Sequence, residues 1–347
     1  MKKLLVTLDY ELYGNGSGDV FKHIIEPTES ILAVCNQKNV KVTIFFEVVE
    51  YWMLKNEWEK GNTMGYAKNP VEAMENQIIA AYQQGHDVQL HIHPQWVNAV
   101  YENGRWNVDF NAWRLGGYKD EGENSIYYLL KKGKETLESI INHPSYQCTA
   151  LRAGGYNIQP SREVLNAMCE LGLRIDSSVY SGGKETGVLS QYDYSKITNE
   201  KGYWYIDKDV LIDEGKKTTL IELPIVAFPL KRIFKFLTIE RVKSIFKNRQ
   251  SAMNSFEAKT SKSSKLTIIK YFFQYEWQTW DYCLFSNRLH RQYIKKCNEL
   301  YQQNKRDYFV VIGHPKNLVT TKTLEFLLYH AQQNKYNFQS IKQLDII

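Results

Sequence analysis

LLVTLD (residues 4–9) is an almost unbroken apolar run that turns acidic at its end, and VKVTIFF (residues 40–46) is a second such run. A helical pattern from about Glu26 to Gln37 separates them. Runs this apolar mark strands buried on both faces, so the chain opens β-α-β with parallel strands. The alternation continues outward. A helix from about Val71 to Gln84, closed by Gly85, precedes a third strand DVQLHIH (87–93). A helix from about Ser125 to Ile141 leads to TALRA (149–153), and a helix from Ser161 to Leu171 leads to LRID (173–176). Further strands are expected at 202–207, 218–225 and 307–315, with a helix from about Thr321 to Gln333. Five or more βα units predict an α/β barrel or a doubly wound sheet. Residues 97–123, rich in Asn, Gly, Trp and Tyr, read as a long irregular loop, a length usually kept for function.

The composition excludes several classes. Of 347 residues, 43% are hydrophobic and 24% charged, which suits a large buried core. No apolar run approaches the roughly 18 residues that a membrane-crossing helix needs. The apolar stretch at Leu4–Leu8 is too short for an export signal, so a cytoplasmic location is expected. Five cysteines without a CxxC pair (Cys35, Cys148, Cys169, Cys283, Cys297) read as reduced, mostly buried thiols. The net charge of +6 is uneven: residues 231–270 carry eleven Lys/Arg against Glu240 and Glu257, a local +9, which leaves −3 for the rest.

Polar residues gather where strands end. Alternation along a strand puts Asp9 and Glu11 on one side, and the same period of two puts His91 and His93 on one side, with Pro94 holding His93 extended. Two neutral imidazoles and a carboxylate from another strand make an open three-ligand site suited to Zn²⁺ or a similar first-row ion. Arg152 precedes Gly154-Gly155-Tyr156, a fixed cation beside a turn whose N–H groups can face an oxyanion. Asp176-Ser177-Ser178 and Gly313-His314-Pro315 follow later strands. His86, His23, His143, His290 and His330 lack such neighbours and read as structural. Trp96, Trp106 and Trp113 offer flat apolar faces, or fill the core.

In this order the motifs resemble the polysaccharide deacetylase (NodB-homology) family of metal-dependent carbohydrate esterases. TLDYE stands for the first motif, GHDVQLHIHPQW the second, LRAGGYN the third, IDSSVY the fourth and VVIGHP the fifth. The resemblance implies an irregular (β/α)7-type barrel, formed by residues 1–347 as one domain. It implies removal of an N-acetyl group from an amino sugar of a surface or cell-envelope glycan, with one divalent ion: Zn²⁺, or Co²⁺, Ni²⁺ or Mn²⁺. By motif position Asp9 matches the base, Glu11 the metal carboxylate, His91 the first metal histidine and Arg152 the residue that orients the base. Tyr156 matches the oxyanion-hole N–H, His314 the general acid, and Asp176 would hold and tune His314. Family members carry adjacent Asp-Asp and two histidines four apart. Here the carboxylates are two apart and Gln95 stands four after His91, so either His93 or Gln95 is the third ligand. The altered second motif leaves two alternatives: a catalytically silent glycan-binding protein, or a hydrolase of another small amide.

The basic insertion, residues 231–275, is expected to be mostly helical. Within it, residues 231–249 place Ile233, Phe236, Ile239, Val242 and Phe246 near one face. Such a helix packs on the barrel, contacts an acidic partner, or lies on the inner face of an anionic membrane. No nucleic-acid recognition motif accompanies the charge, so no nucleic-acid partner is expected.

Overall fold

The computed structural model describes residues 1–119, 122–233 and 273–346. Seven parallel strands form the wall of a barrel. In chain order the strands are β1 (Lys3–Tyr10), β2 (Val42–Glu47), β3 (Asp87–Ile92), a small ribbon of β4 (Val100–Glu102) and β5 (Arg105–Asn107), then β6 (Ala150–Ala153) and β7 (Ile175–Asp176). A second ribbon follows, β8 (Lys184–Thr186) with β9 (Gln191–Asp193), then β10 (Trp204–Ile206), β11 (Leu220–Glu222), β12 (Ala227–Lys231), β13 (Tyr275–Thr279), β14 (Tyr308–Val311) and β15 (Asn337–Phe338). The wall runs β11-β7-β6-β3-β2-β1-β14. It closes downstream of β11, where Ile225 bridges in parallel to Tyr180 on one side and Val310 on the other. The seven-strand barrel expected from the motif order is the architecture found, with β10 added antiparallel to β11.

The elements follow from the sequence. Every residue of β2 and β3 is buried, as the apolar runs require of strands covered on both faces. Helices α1 (Glu26–Gln37), α2 (Val48–Glu59), α3 (Pro70–Gln83), α4 (Ile126–Ile141), α5 (Arg162–Leu171), α6 (Asn287–Gln302) and α7 (Lys322–Gln333) accompany them. Asn69 caps α3 by accepting from Val71 and Glu72, with Pro70 in the first turn where its missing N–H costs nothing. Helix α5 stops at Gly172, whose φ of 73° needs a residue without Cβ.

Sequence patterning did not indicate α2 or α6. In α2, VVEYWMLKNEWE distributes apolar and charged residues around the helix without one clear stripe, whereas the amphipathic face of α6 lies among Arg and Lys. Trp96 and Trp106 are buried core residues, not sugar platforms. His86 and His290 are buried and structural, accepting from the Val42 N–H and the Trp280 indole N–H respectively. Four cysteines are buried; Cys169 is exposed. The antiparallel pair β12–β13 flanks the basic segment. Residues 234–272, which hold most of the predicted amphipathic helix, lie outside the described residues. Among the described residues, no helix is long and apolar enough to cross a membrane.

Candidate active site

Strand register assembles the site. Glu47 of β2 pairs with His91 of β3, and His91 pairs with Arg152 of β6. Residues in register on parallel strands share a face, so these three side chains form one row across the end of the barrel. Asp9 lies one step below on β1, paired with Phe45, and Glu11 follows just beyond the strand.

The two histidines that precede prolines are set by the same local device. His93 leaves β3 extended (φ −114°, ψ 97°) before a tight turn at Pro94–Trp96, and His314 follows β14 extended (φ −118°, ψ 105°) before a tight turn at Pro315–Asn317. The following proline disfavours helical backbone at each, which keeps each imidazole in line with its strand.

The imidazoles and carboxylates converge. Nε2 of His93 is 2.6 Å from Oε2 of Glu11, and Nε2 of His91 is 3.4 Å from the same oxygen and 3.9 Å from Oδ2 of Asp9. Nδ1–H of His91 donates to the Arg152 carbonyl at 2.8 Å, which leaves its Nε2 lone pair facing the two carboxylates. Beyond these carboxylate contacts, Nε2 of both histidines is buried without a hydrogen-bond partner. Lone pairs and carboxylate oxygens directed at one point lack only a cation, so this donor set fits a divalent ion. Gln95 is not in that set. Its amide lies 2.8 Å from Nδ1 of His93, and its Oε1 is itself buried without a partner. Turning the amide by 180° would let Oε1 accept from Nδ1–H and direct the Nε2 lone pair of His93 at Glu11. His93, not Gln95, is thus the side chain that meets Glu11, with Gln95 behind it on Nδ1.

Asp9 is held for a different task. Its Oδ1 accepts from Nη1 of Arg152 at 2.6 Å. That guanidinium is fixed in turn by the Ser177 carbonyl (2.9 Å), Ser177 Oγ (3.0 Å) and Thr7 Oγ1 (3.0 Å), and lies 4.0 Å over the Phe45 ring. Burial alone would raise the Asp9 pKa; the Arg152 charge outweighs it and keeps the carboxyl below its ordinary value. Burial is likewise overcome at Glu11, where the Lys316 ammonium donates to Oε1 at 2.8 Å and holds the carboxyl well below the usual range. Lys316 also donates to the Leu12 carbonyl at 2.6 Å.

His314 faces Asp9 from the far side, with Nε2 3.7 Å from Oδ2. Its side chain is 17% exposed against 4% for Asp9, so it stands at the mouth of the site. The residue that holds it is Asp281, whose Oδ2 accepts from Nδ1–H at 2.8 Å. The expectation that Asp176 would do so is corrected by register. Asp176 pairs with Leu151, not Arg152, which turns it to the opposite side of the wall, where it accepts from the N–H and Oγ of Ser178. Tyr156 lies in a left-handed turn (φ 64°) after Gly155, its carbonyl accepting from the Tyr194 hydroxyl at 2.5 Å. A cleft of about 260 Å³ beside His314 is lined by Tyr156, Tyr180, Tyr192, Trp277 and Asp281.

Three site residues escaped sequence reasoning: Glu47, Asp281 and Lys316. Glu47 sits one residue past the apolar run read as the second strand, and alignment of that run with TLDYE would have placed it beside Glu11. Lys316 is two residues after His314, on the same period that links His91 to His93.

Gly154 gives His93 its room, because a Cβ there would lie 2.4 Å from Cγ of the imidazole. Gly154→Ala is therefore expected to displace the ring and weaken divalent-ion binding by about 10- to 100-fold, measured by calorimetric titration. Unchanged affinity would remove His93 from the donor set.

No protein-family model matches the chain, and no curated protein matches it. Among solved structures it is similar to a probable polysaccharide deacetylase from Pseudomonas aeruginosa PAO1, at 13% identity and TM-score 0.49 over 99% of this chain and 89% of that one. It is also similar to the polysaccharide deacetylase Bc1974 from Bacillus cereus (10% identity, TM-score 0.38, 99% and 93% covered) and to the Puue allantoinase (12% identity, TM-score 0.49, 99% and 88% covered).

Proposed function

We propose that the chain is a metal-dependent hydrolase that removes an N-acetyl group from an amino sugar of a surface or cell-envelope glycan. The observation that carries the reading is a pair of proton-transfer groups, Asp9 and His314, 3.7 Å apart beside the two imidazoles, each oriented by an opposite charge of its own. Glu11, His91 and His93 would hold one divalent ion, Zn²⁺ by choice of donors, and when bound it supplies polarisation of the acetyl carbonyl and acidification of a water.

Asp9, kept ionised and aimed by Arg152, takes the proton of the attacking water. The Tyr156 N–H, in the left-handed turn after Gly155, would donate to the developing oxyanion. His314 delivers a proton from Nε2 to the departing sugar nitrogen, its Nδ1–H anchored on Asp281. The aromatic cleft next to His314 is the natural place for the sugar rings.

Acetate release from N-acetylglucosamine oligomers tests the reading. Release that is abolished by chelation and restored by Zn²⁺ is expected; a metal-loaded protein that releases none, or release that chelation leaves intact, overturns it. The pH profile is a second test. Burial lowers the His314 pKa, but the hydrogen bond and charge of Asp281, joined by Asp9, outweigh it and hold His314 above its ordinary value. A general acid works protonated, so activity falls as pH rises through that value. Asp281→Asn removes the anion and should move the alkaline limb of kcat/KM to lower pH. A limb that stays in place would separate it from His314.

The proposed setting is the cytoplasm, where glycan precursors are assembled. Contact of residues 231–249 with an anionic membrane surface belongs to the same proposal, and rests on charge pattern alone.

A further inference from the structure

Glu47 has a task that capping a helix does not explain. It ends β2 and is fully buried. Oε1 accepts from the Val49 N–H at 3.0 Å and so caps α2. The second oxygen, Oε2, is buried without a hydrogen-bond partner. A cap needs one oxygen, and Ser or Thr supplies it without burying a second. Asp9 has Arg152 and Glu11 has Lys316, but among the described residues no cationic side chain forms an ion pair with Glu47. A carboxylate oxygen of Glu47 nevertheless lies within 4.8 Å of the donor atoms of Glu11, His91 and His93. An unpartnered buried oxygen is costly, and here it points to what the neighbouring lone pairs also address.

We infer that Glu47 is a fourth protein donor to the metal. The inference rests on the reading of Glu11, His91 and His93 as a metal set and extends it. Two imidazoles and two carboxylates make a harder, more oxygen-rich set than a three-donor zinc site. Such a set accommodates ions that accept five or six ligands, Co²⁺, Ni²⁺ or Mn²⁺, as readily as Zn²⁺.

The test titrates the full-length apoprotein with Co²⁺, followed by calorimetry and by the visible absorption of the bound ion. Glu47→Gln keeps the capping oxygen and removes only the anionic donor. It is expected to weaken Co²⁺ binding by at least roughly tenfold and to change the visible spectrum. Glu50→Gln, the same change made at a neighbouring buried carboxyl, is expected to leave both near the wild-type result. Wild-type affinity and spectrum in Glu47→Gln would reduce Glu47 to a helix cap while leaving the metal reading standing. Equal weakening in both variants with an unchanged spectrum would make the effect a general one of altering a buried acid near the site, and overturn the donor role. A wild-type protein that takes up no Co²⁺ would overturn the metal reading itself. Should Glu47→Gln fail to fold, the wild-type Co²⁺ complex decides by crystallography: a Glu47 oxygen bonded to the ion supports the assignment, and one more than roughly 3 Å away overturns it.

Discussion

Asp9→Asn is expected to lower kcat by about 10²–10⁴ while the protein still binds one divalent ion. The amide occupies the same space and its Oδ1 can still accept from Nη1 of Arg152, but it cannot take a proton from water. The donors argued to hold the ion (Glu11, His91 and His93) are untouched, so uptake and turnover should separate. One side effect must be tracked. Arg152 is fully buried, and without the Asp9 charge its guanidinium keeps only neutral partners: the new amide, Ser177 and Thr7. Removing one partner of a buried pair can cost about 3–5 kcal/mol. Thermal unfolding at the assay temperature distinguishes lost chemistry from lost protein. An unaltered kcat in the folded variant would strip Asp9 of its role as base.

His91→Ala should act the other way, abolishing turnover by removing the metal. Apparent binding energies of roughly 10–16 kcal/mol for four-donor zinc sites assign each donor about 2.5–4 kcal/mol, or roughly 10²–10³ in affinity. His91 also orders its neighbour, since its Nδ1–H closes on the Arg152 carbonyl. Gln95→Ala is the informative contrast. A residue that orients a ligand from behind should cost only about 10- to 100-fold. Metal uptake by the two variants, compared at equal free Zn²⁺, checks the ranking; a Gln95→Ala effect as large as that of His91→Ala would make Gln95 a ligand and His93 its support.

Much of this site was legible because strands alternate. The spacing of two between Asp9 and Glu11, and between His91 and His93, implies a common face before any coordinates exist, and Glu11 does meet both imidazoles. The same logic, applied one strand further, depends on register, which a sequence does not print. Asp176 shows the cost: a one-residue offset places it beside Leu151 and sends its carboxyl to the wrong side of the wall. Asp281 was hidden because it follows the basic segment, where the pattern of strands breaks; only its parallel bridge to Ile312 brings it to His314. Glu47 was hidden by its own strand, whose hydrophobic run drew attention from the acid that ends it. At the level of the fold, apolar runs announced the buried parallel strands, while α2 lacked a clean stripe, the stripe of α6 lay among Arg and Lys, and both passed unread.

The direct measurement is an anomalous-scattering map from crystals of the full-length protein grown with Zn²⁺. The account predicts one strong peak about 2.0–2.2 Å from a carboxylate oxygen of Glu11 and from Nε2 of both His91 and His93. A peak elsewhere, or none there at saturating metal with Lys316 still seated on Glu11, would contradict it.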